Sequence, residues 1–222
     1  MIAMQGALEK IKEVVVDIDP KDVLNDANEF GLRVSCIEDF RNQADNYVFT
    51  EKLASKYGDV AASYCAISGA GAGVGGLLTT VALAGVDLGN MAAQLYRLNQ
   101  KVAILHGFDP SNEIHQEKVI AIYFAALGID AAASAAIRGA MVKAAAENTA
   151  KRGPAKSVAI KMVMLTAQAI GVNITKSTAA KAVPFVGAAF GGGLNYLFAK
   201  KSAKRILLAY KSDYFDRWQS QQ

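Results

Sequence analysis

Few side chains in this sequence could carry chemistry, and their spacing decides which reactions are open to it. Histidine occurs twice, as His106 and His115, with no cysteine pair beside either. Glu113, His115 and Glu117 stand two residues apart, a spacing that fans side chains around a helix axis. A metal site needs three or four converging ligands, so none is expected. Gly71-Ala72-Gly73-Val74-Gly75-Gly76 spells G-x-G-x-x-G. A dinucleotide turn needs a strand before that pattern, a helix after it and an acidic residue about 20 positions on. Here helical sequence precedes it and no βαβ pattern follows, so glycine-mediated helix packing is the better account and no cofactor is expected. The run Gly171 to Ser177 has Thr175 where a phosphate loop needs its second glycine. Cys36 and Cys65 fall in apolar helical sequence without a basic activator, and no G-x-S-x-G elbow occurs. No catalytic residue is therefore assigned. A hydrolase using Asp87, His106 and Asp109 stays open as an alternative, although nothing in their spacing makes them converge.

Two other carboxylates draw attention by their company. Asp87 and Asp130 each interrupt an apolar stretch, and an ionisable group there is costly unless paired or solvated. Each is expected to find a buried cation or helix-end donor, or to line a polar spot in a lipid-binding cleft. Arg97 lies ten residues from Asp87, about 15 Å along a straight helix, so the two cannot pair directly.

The elements that would position these residues read as helices throughout. Apolar residues recur at helical spacing over residues 2–18, again after Pro20, and from about Thr50 into a glycine-rich run. Ser35-Cys36-Ile37-Glu38 has the form of a capping box and predicts a helix through Phe40, Ala44, Tyr47 and Val48. Leu88 to Leu105 forms another helix, stopped by His106-Gly107-Phe108-Asp109-Pro110. A helix reopens near Ser111 and Glu113 and runs towards Met141. Gly153-Pro154 is the best linker signal, followed by a helix over 155–170, a turn at 171–173 and a helix from Thr175. β-branched alternation is scarce. The fold class is all-α, a compact multi-helix bundle with glycine-rich apolar helical hairpins.

Those hairpins centre on Val60 to Val86 and Ala182 to Ala199, neither of which holds a charge. Small residues four apart let helix backbones approach closely, in lipid above all. Gly69, Gly73, Gly76, Gly187 and Gly191 are accordingly candidates for helix packing or membrane insertion. About twenty apolar residues span a bilayer, but alanine and glycine contribute little transfer energy, so a buried hairpin competes with an inserted one.

Of 222 residues, 52% are apolar. Residues 1–110 hold nine Lys and Arg against fourteen Asp and Glu, whereas residues 111–222 hold fifteen against six. A basic second half suits an anionic partner, lipid before nucleic acid; no nucleic-acid module pattern is present. The C-terminal stretch interleaves Lys200, Lys201, Lys204, Arg205 and Lys211 with Tyr214 and Trp218. Basic groups can reach lipid phosphates while Trp and Tyr rings sit at headgroup level. Two cysteines and a start broken by Glu9, Lys10, Lys12 and Glu13 predict a reducing compartment and no signal peptide.

Two stretches together resemble a known family. Ala84-Gly85-Val86-Asp87-Leu88, then Arg97, then His106-Gly107-Phe108-Asp109 is similar to the EcsC-like family's apolar glycine-rich run, Asp-Leu, Arg and Tyr-Gly-x-Asp. Pro184-Phe185-Val186-Gly187-Ala188 with Gly191 and Asn195, followed by a basic helix, is similar to its second hallmark. His106 replaces the usual Tyr and Gly89 the usual Pro. The resemblance covers roughly residues 60–218. The family takes its name from a bacterial protein encoded beside an ABC transporter linked to secretion, and no established reaction defines it. It implies structural or ligand-facing roles for Asp87, Arg97, Gly107, Asp109, Pro184, Gly187 and Asn195. Residues 60–222 are then expected to form the EcsC-like helical domain, with 1–59 as a helical segment packed on it.

The expected function is non-enzymatic: a peripheral membrane or lipid-binding protein at the cytoplasmic face of the inner membrane. Its partner would be an anionic lipid or membrane surface, with a membrane protein as a further partner. Docking of an acidic protein such as a transporter subunit or a toxin or immunity partner is the alternative. The buried polar candidates are Asp87, Arg97, Asp109, Asp130 and Asn195.

Overall fold

Three helix ends in this chain share one construction, and it sets most of the corners. At residue 107 the Gly107 amide donates to Ile104 O and the Phe108 amide to Ala103 O, with Gly107 at φ +82°. This is a Schellman stop, in which a left-handed glycine lets the last carbonyls find donors and an apolar residue folds back onto the helix. Gly31 with Leu32, and Gly128 with Ile129, repeat it.

The computed structural model describes residues 18–71, 77–109, 112–150, 156–179 and 188–219. Within them the elements are α1 (Pro20–Glu29), a 3-10 turn (Ile37–Asn42), α2 (Tyr47–Gly71) and α3 (Leu77–Leu105). Then come α4 (Glu113–Leu127), α5 (Ala131–Ala150), α6 (Lys156–Ala179), α7 (Ala188–Tyr214) and a π-helical turn (Phe215–Gln219). No strand occurs among the described residues. The all-α bundle is as expected. The helix expected over 2–18 falls largely outside the described residues, as do Gly73, Gly76, Pro184 and Gly187; Gly69 lies in α2 and Gly191 in α7.

Several boundaries differ from expectation. The helix expected from the capping box is only a 3-10 turn, because Asp39 rather than Glu38 closes it. The Ser35 amide, the Ser35 hydroxyl and the Cys36 amide all donate to the Asp39 carboxylate, and the Ser35 and Cys36 donors hold that carboxyl at about 2. Cys36 itself is exposed. α3 does not begin after Asp87 but runs through it from Leu77. The helix after Asn112 stops at Gly128, so the alanine-rich stretch is a separate helix. α6 continues through Gly171, where a Cβ would stand 2.9 Å from Leu88 Cδ1; the missing side chain admits α3. The division expected at residue 60 falls inside α2.

α3 is the axis of the bundle, touched by α1, α2, α4, α6, α7 and the 3-10 turn. It buries Met91, Leu95, Leu98, Val102, Ile104 and Leu105. The largest helix interface is α2 on α7. The pair is antiparallel, since Glu51 meets Lys211 and Asp59 meets Lys200. The two helices bury small residues, Ala54, Ala61, Ala62 and Cys65 on α2 and Ala199, Ser202 and Ala203 on α7, and Gly58 meets Ala203 across the seam. A Cβ on Gly58 would lie 3.3 Å from Ala203 Cβ, so the two backbones approach as closely as small residues four apart allow.

Candidate functional site

Two ends of α3 hold the residues singled out in the sequence. At one end the Asn195 side chain of α7 donates to Asp87 Oδ2 of α3 at 2.5 Å, and both residues are half-buried. Residues 108 positions apart are thus joined, and the cost of placing a carboxylate in an apolar stretch is met by an amide. Cys65 of α2 is buried nearby; burial, and then the charge of Asp87, push its thiol up to about 12. It is therefore a packing residue rather than a nucleophile.

At the other end, His106 is buried. Its Nδ1 donates to Val102 O at 2.7 Å, so Nε2 accepts from the Tyr47 hydroxyl at 3.0 Å. Both ring nitrogens are thereby committed. Burial pulls the imidazole down to about 4, against the opposing pull of the Val102 carbonyl, and pushes the Tyr47 phenol up. The rings of Tyr47, Tyr210 and Tyr214 enclose it. The next turn is held from outside. Arg41 Nε donates to Gly107 O at 3.1 Å, and Trp218 Nε1 donates to His106 O at 3.1 Å. The Arg41 guanidinium stands 4.6 Å from the Trp218 ring centre, a cation–π contact. The Asp109 amide donates to His115 Nδ1 at 2.9 Å.

Among the five buried polar candidates, then, Asp87 and Asn195 meet. Asp109 lies at the far end of α3, with its backbone bonded to His115. Arg97 is half-buried, ten residues from Asp87 along α3. Asp130 is not buried; it is exposed and caps α5, accepting from the Ala133 amide at 2.8 Å, because the Gly128 stop makes residues 129–130 a corner. Asp87 and His106 are 19 residues apart on one helix, about 28 Å, so the arrangement of Asp87, His106 and Asp109 as one hydrolytic centre is excluded. Among the described residues no three His, Cys, Asp or Glu side chains converge on a point that could hold a metal.

The C-terminal candidates divide into three groups. Lys200 is ion-paired with Asp59 and Lys211 with Glu51, and the Asp59 bond raises the Lys200 ammonium. Arg205 donates to Ala126 O at 3.2 Å. Lys201 and Lys204 are exposed, with no carboxylate paired to them among the described residues. Tyr214, expected as an interfacial anchor with Trp218, is corrected. Tyr214 is fully buried, its hydroxyl bonded to the Gln43 amide and Arg41 carbonyl, and Trp218 is half-buried on the Gly107 turn. The Tyr214 ring, whose spacing suited a membrane interface, is buried instead.

Arg41 carries no local pattern that marks it, whereas Gly58 at the α2–α7 seam does. Gly58 with Ala62, and Ala199 with Ala203, form small pairs four apart that could have been read as a seam.

No helix among the described residues is long and apolar enough to cross a membrane. No curated protein and no solved structure matches the chain. The family model described as the EcsC protein family matches residues 11–212. The match takes in both ends of α3, the Asp87–Asn195 contact and the basic face of α7, so the chain belongs to the EcsC protein family.

Proposed function

We propose that this chain is a non-enzymatic protein that attaches peripherally to anionic lipid through α7. One observation carries the reading: α7 turns Lys201 and Lys204 to solvent without carboxylate partners among the described residues, while Asp59 and Glu51 of α2 take up Lys200 and Lys211. Two exposed lysines one turn apart on a helix face suit phosphate headgroups. Each basic residue near an anionic surface contributes about 1 kcal/mol. The cytoplasmic leaflet, which carries the anionic lipids, is the surface such a face fits. The expected contacts are thereby narrowed from seven residues to Lys201 and Lys204, with Lys200 and Arg205 beside them.

The test is co-sedimentation with phosphatidylglycerol-containing and neutral vesicles, at low and high salt. Binding to anionic vesicles alone, weakened by salt, supports the reading. Lys201→Gln with Lys204→Gln is expected to weaken that binding about 30-fold and to leave the unfolding midpoint unchanged. Unchanged binding in the double variant would remove the electrostatic basis. Absence of binding to either vesicle would favour an acidic protein docked on the same lysines.

A further inference from the structure

We infer that the α2–α7 end carrying Val60, Tyr64, Ile67, Tyr196 and Leu197 is the part of the molecule that enters the lipid surface, so that the protein stands on the membrane and does not lie along it. The inference rests on the lipid reading above and adds to it an orientation and an insertion site.

Five of the ten large apolar side chains exposed among the described residues belong to this end: Val60 at 47%, Tyr64 at 54%, Ile67 at 70%, Tyr196 at 37% and Leu197 at 64%. The other five (Val48, Ile114, Val142, Leu208 and Phe215) lie elsewhere on the chain. Val60, Tyr64 and Ile67 stand at i, i+4 and i+7, one face of α2. The antiparallel register, fixed by Asp59 against Lys200 and Gly58 against Ala203, sets Tyr64 level with Leu197. Tyr64, Ile67, Tyr196 and Leu197 therefore share one end of the helix pair, with Val60 at its inner margin, level with the Asp59–Lys200 ion pair. Single exposed apolar residues need no explanation, but a contiguous group does.

Charge selects the occupant. Val60 to Val86 and Ala182 to Ala199, the stretches to which these residues belong, hold no charged residue except beyond their limits. Of the two nearby carboxylates, Asp59 is paired with Lys200 and Asp87 with Asn195. Below the apolar group come Lys200, Lys201 and Lys204, three to seven residues from Leu197, or about 5–10 Å along the helix. That is the depth by which interfacial apolar faces enter the headgroup and acyl boundary. An apolar end above a collar of lysines, with Asp59 ion-paired and Asp87 hydrogen-bonded inside, matches an anionic bilayer. Trp218 lies 21 residues from Leu197, about 30 Å away along α7, at the opposite end.

The chain's one tryptophan makes the orientation measurable. The native protein and Leu197→Trp would each be mixed with phosphatidylglycerol vesicles whose acyl chains are brominated, at concentrations where co-sedimentation shows full binding. Unbrominated vesicles serve as the reference, and circular dichroism confirms that the variant is folded. The expected result is that the native emission is unquenched, whereas the variant loses the share contributed by its second indole. Quenching of Trp218 in the native protein would overturn the inference, because the α7 C-terminal end would then be at the membrane. Full binding with no quenching in either protein would also overturn it, while leaving attachment through the lysines intact. Failure of the native protein to sediment with any vesicle would instead remove the lipid reading beneath it.

Discussion

At the Gly107 end of α3, rings and guanidinium groups from the 3-10 turn, α2, α7 and the π-helical turn close over a single helix stop. At the Asp87 end, one carboxylate and one amide meet beneath side chains of which several large apolar ones face solvent. The two ends bury polar atoms by different means. Around His106 both ring nitrogens and the backbone carbonyl are matched within a shell of aromatic rings. Asp87 is met by the side-chain amide of Asn195, from a helix 108 residues on. The first arrangement suits a fixed structural hub and the second an end that can meet another phase. The difference separates the two halves of the family motif by setting: His106-Gly107-Phe108-Asp109 forms the enclosed helix stop, and Asp87 with Asn195 lies at the end for which entry into lipid is proposed.

The sharpest way to break this comparison is at Gly107. A valine there adds a β-branched side chain at φ +82° and drives Cβ to within 2.6 Å of Arg41 Cγ. Left-handed strain and overpacking together should cost about 4 kcal/mol, read as a fall in the denaturant midpoint. A tolerated Gly107→Val would show that the hub yields as readily as the other end.

Acid should act on the hub next. Unfolded, His106 takes up a proton near its ordinary value of 6.5, whereas the folded protein resists until about 4. Protonation therefore favours the unfolded state. Stability is fully present above about 6.5 and is lost progressively as pH falls towards 4, by about 3 kcal/mol in all. His106→Gln should flatten stability across that window, whatever its effect at neutral pH. An unaltered pH profile would place the acid sensitivity elsewhere.

The smallest effect belongs to the Asp87 end. Asp87→Ala and Asn195→Ala, combined in a double-mutant cycle, should show a coupling of about 1 kcal/mol, since the pair is half-buried and partly screened. A coupling as large as the His106 effect would make this end a second hub.

Much of this contrast could be read from the amino-acid types, and part could not. The all-α class follows from helical spacing and the lack of strand alternation. The stops at Gly31 and Gly107 follow from glycine and its neighbours. Asp87 and Asn195 stand out as polar residues in apolar stretches, but their pairing joins residues 108 apart and no local pattern carries it. Asp87 looked like a helix end because charge interrupts an apolar run, yet tertiary packing carries α3 through it. Tyr214 and Trp218 alternate with basic residues as interfacial anchors do; a partner 171 positions away, the Gln43 amide, is what buries Tyr214. Arg41 escaped notice because its importance lies wholly in what it touches.

The π-helical turn also bears on how the chain is made. Gln219 donates to Arg41 O across 178 positions, and Trp218 to His106 O across 112. At about 5–20 residues per second of synthesis, the 3-10 turn waits about 10–35 s for the residues that seal it. Until residue 219 has left the ribosome, the outer seal of the Gly107 turn is open. Through that interval the aromatic surface later covered by the C-terminal residues stays in water, a window in which chaperones would find a nascent chain of this sequence a client.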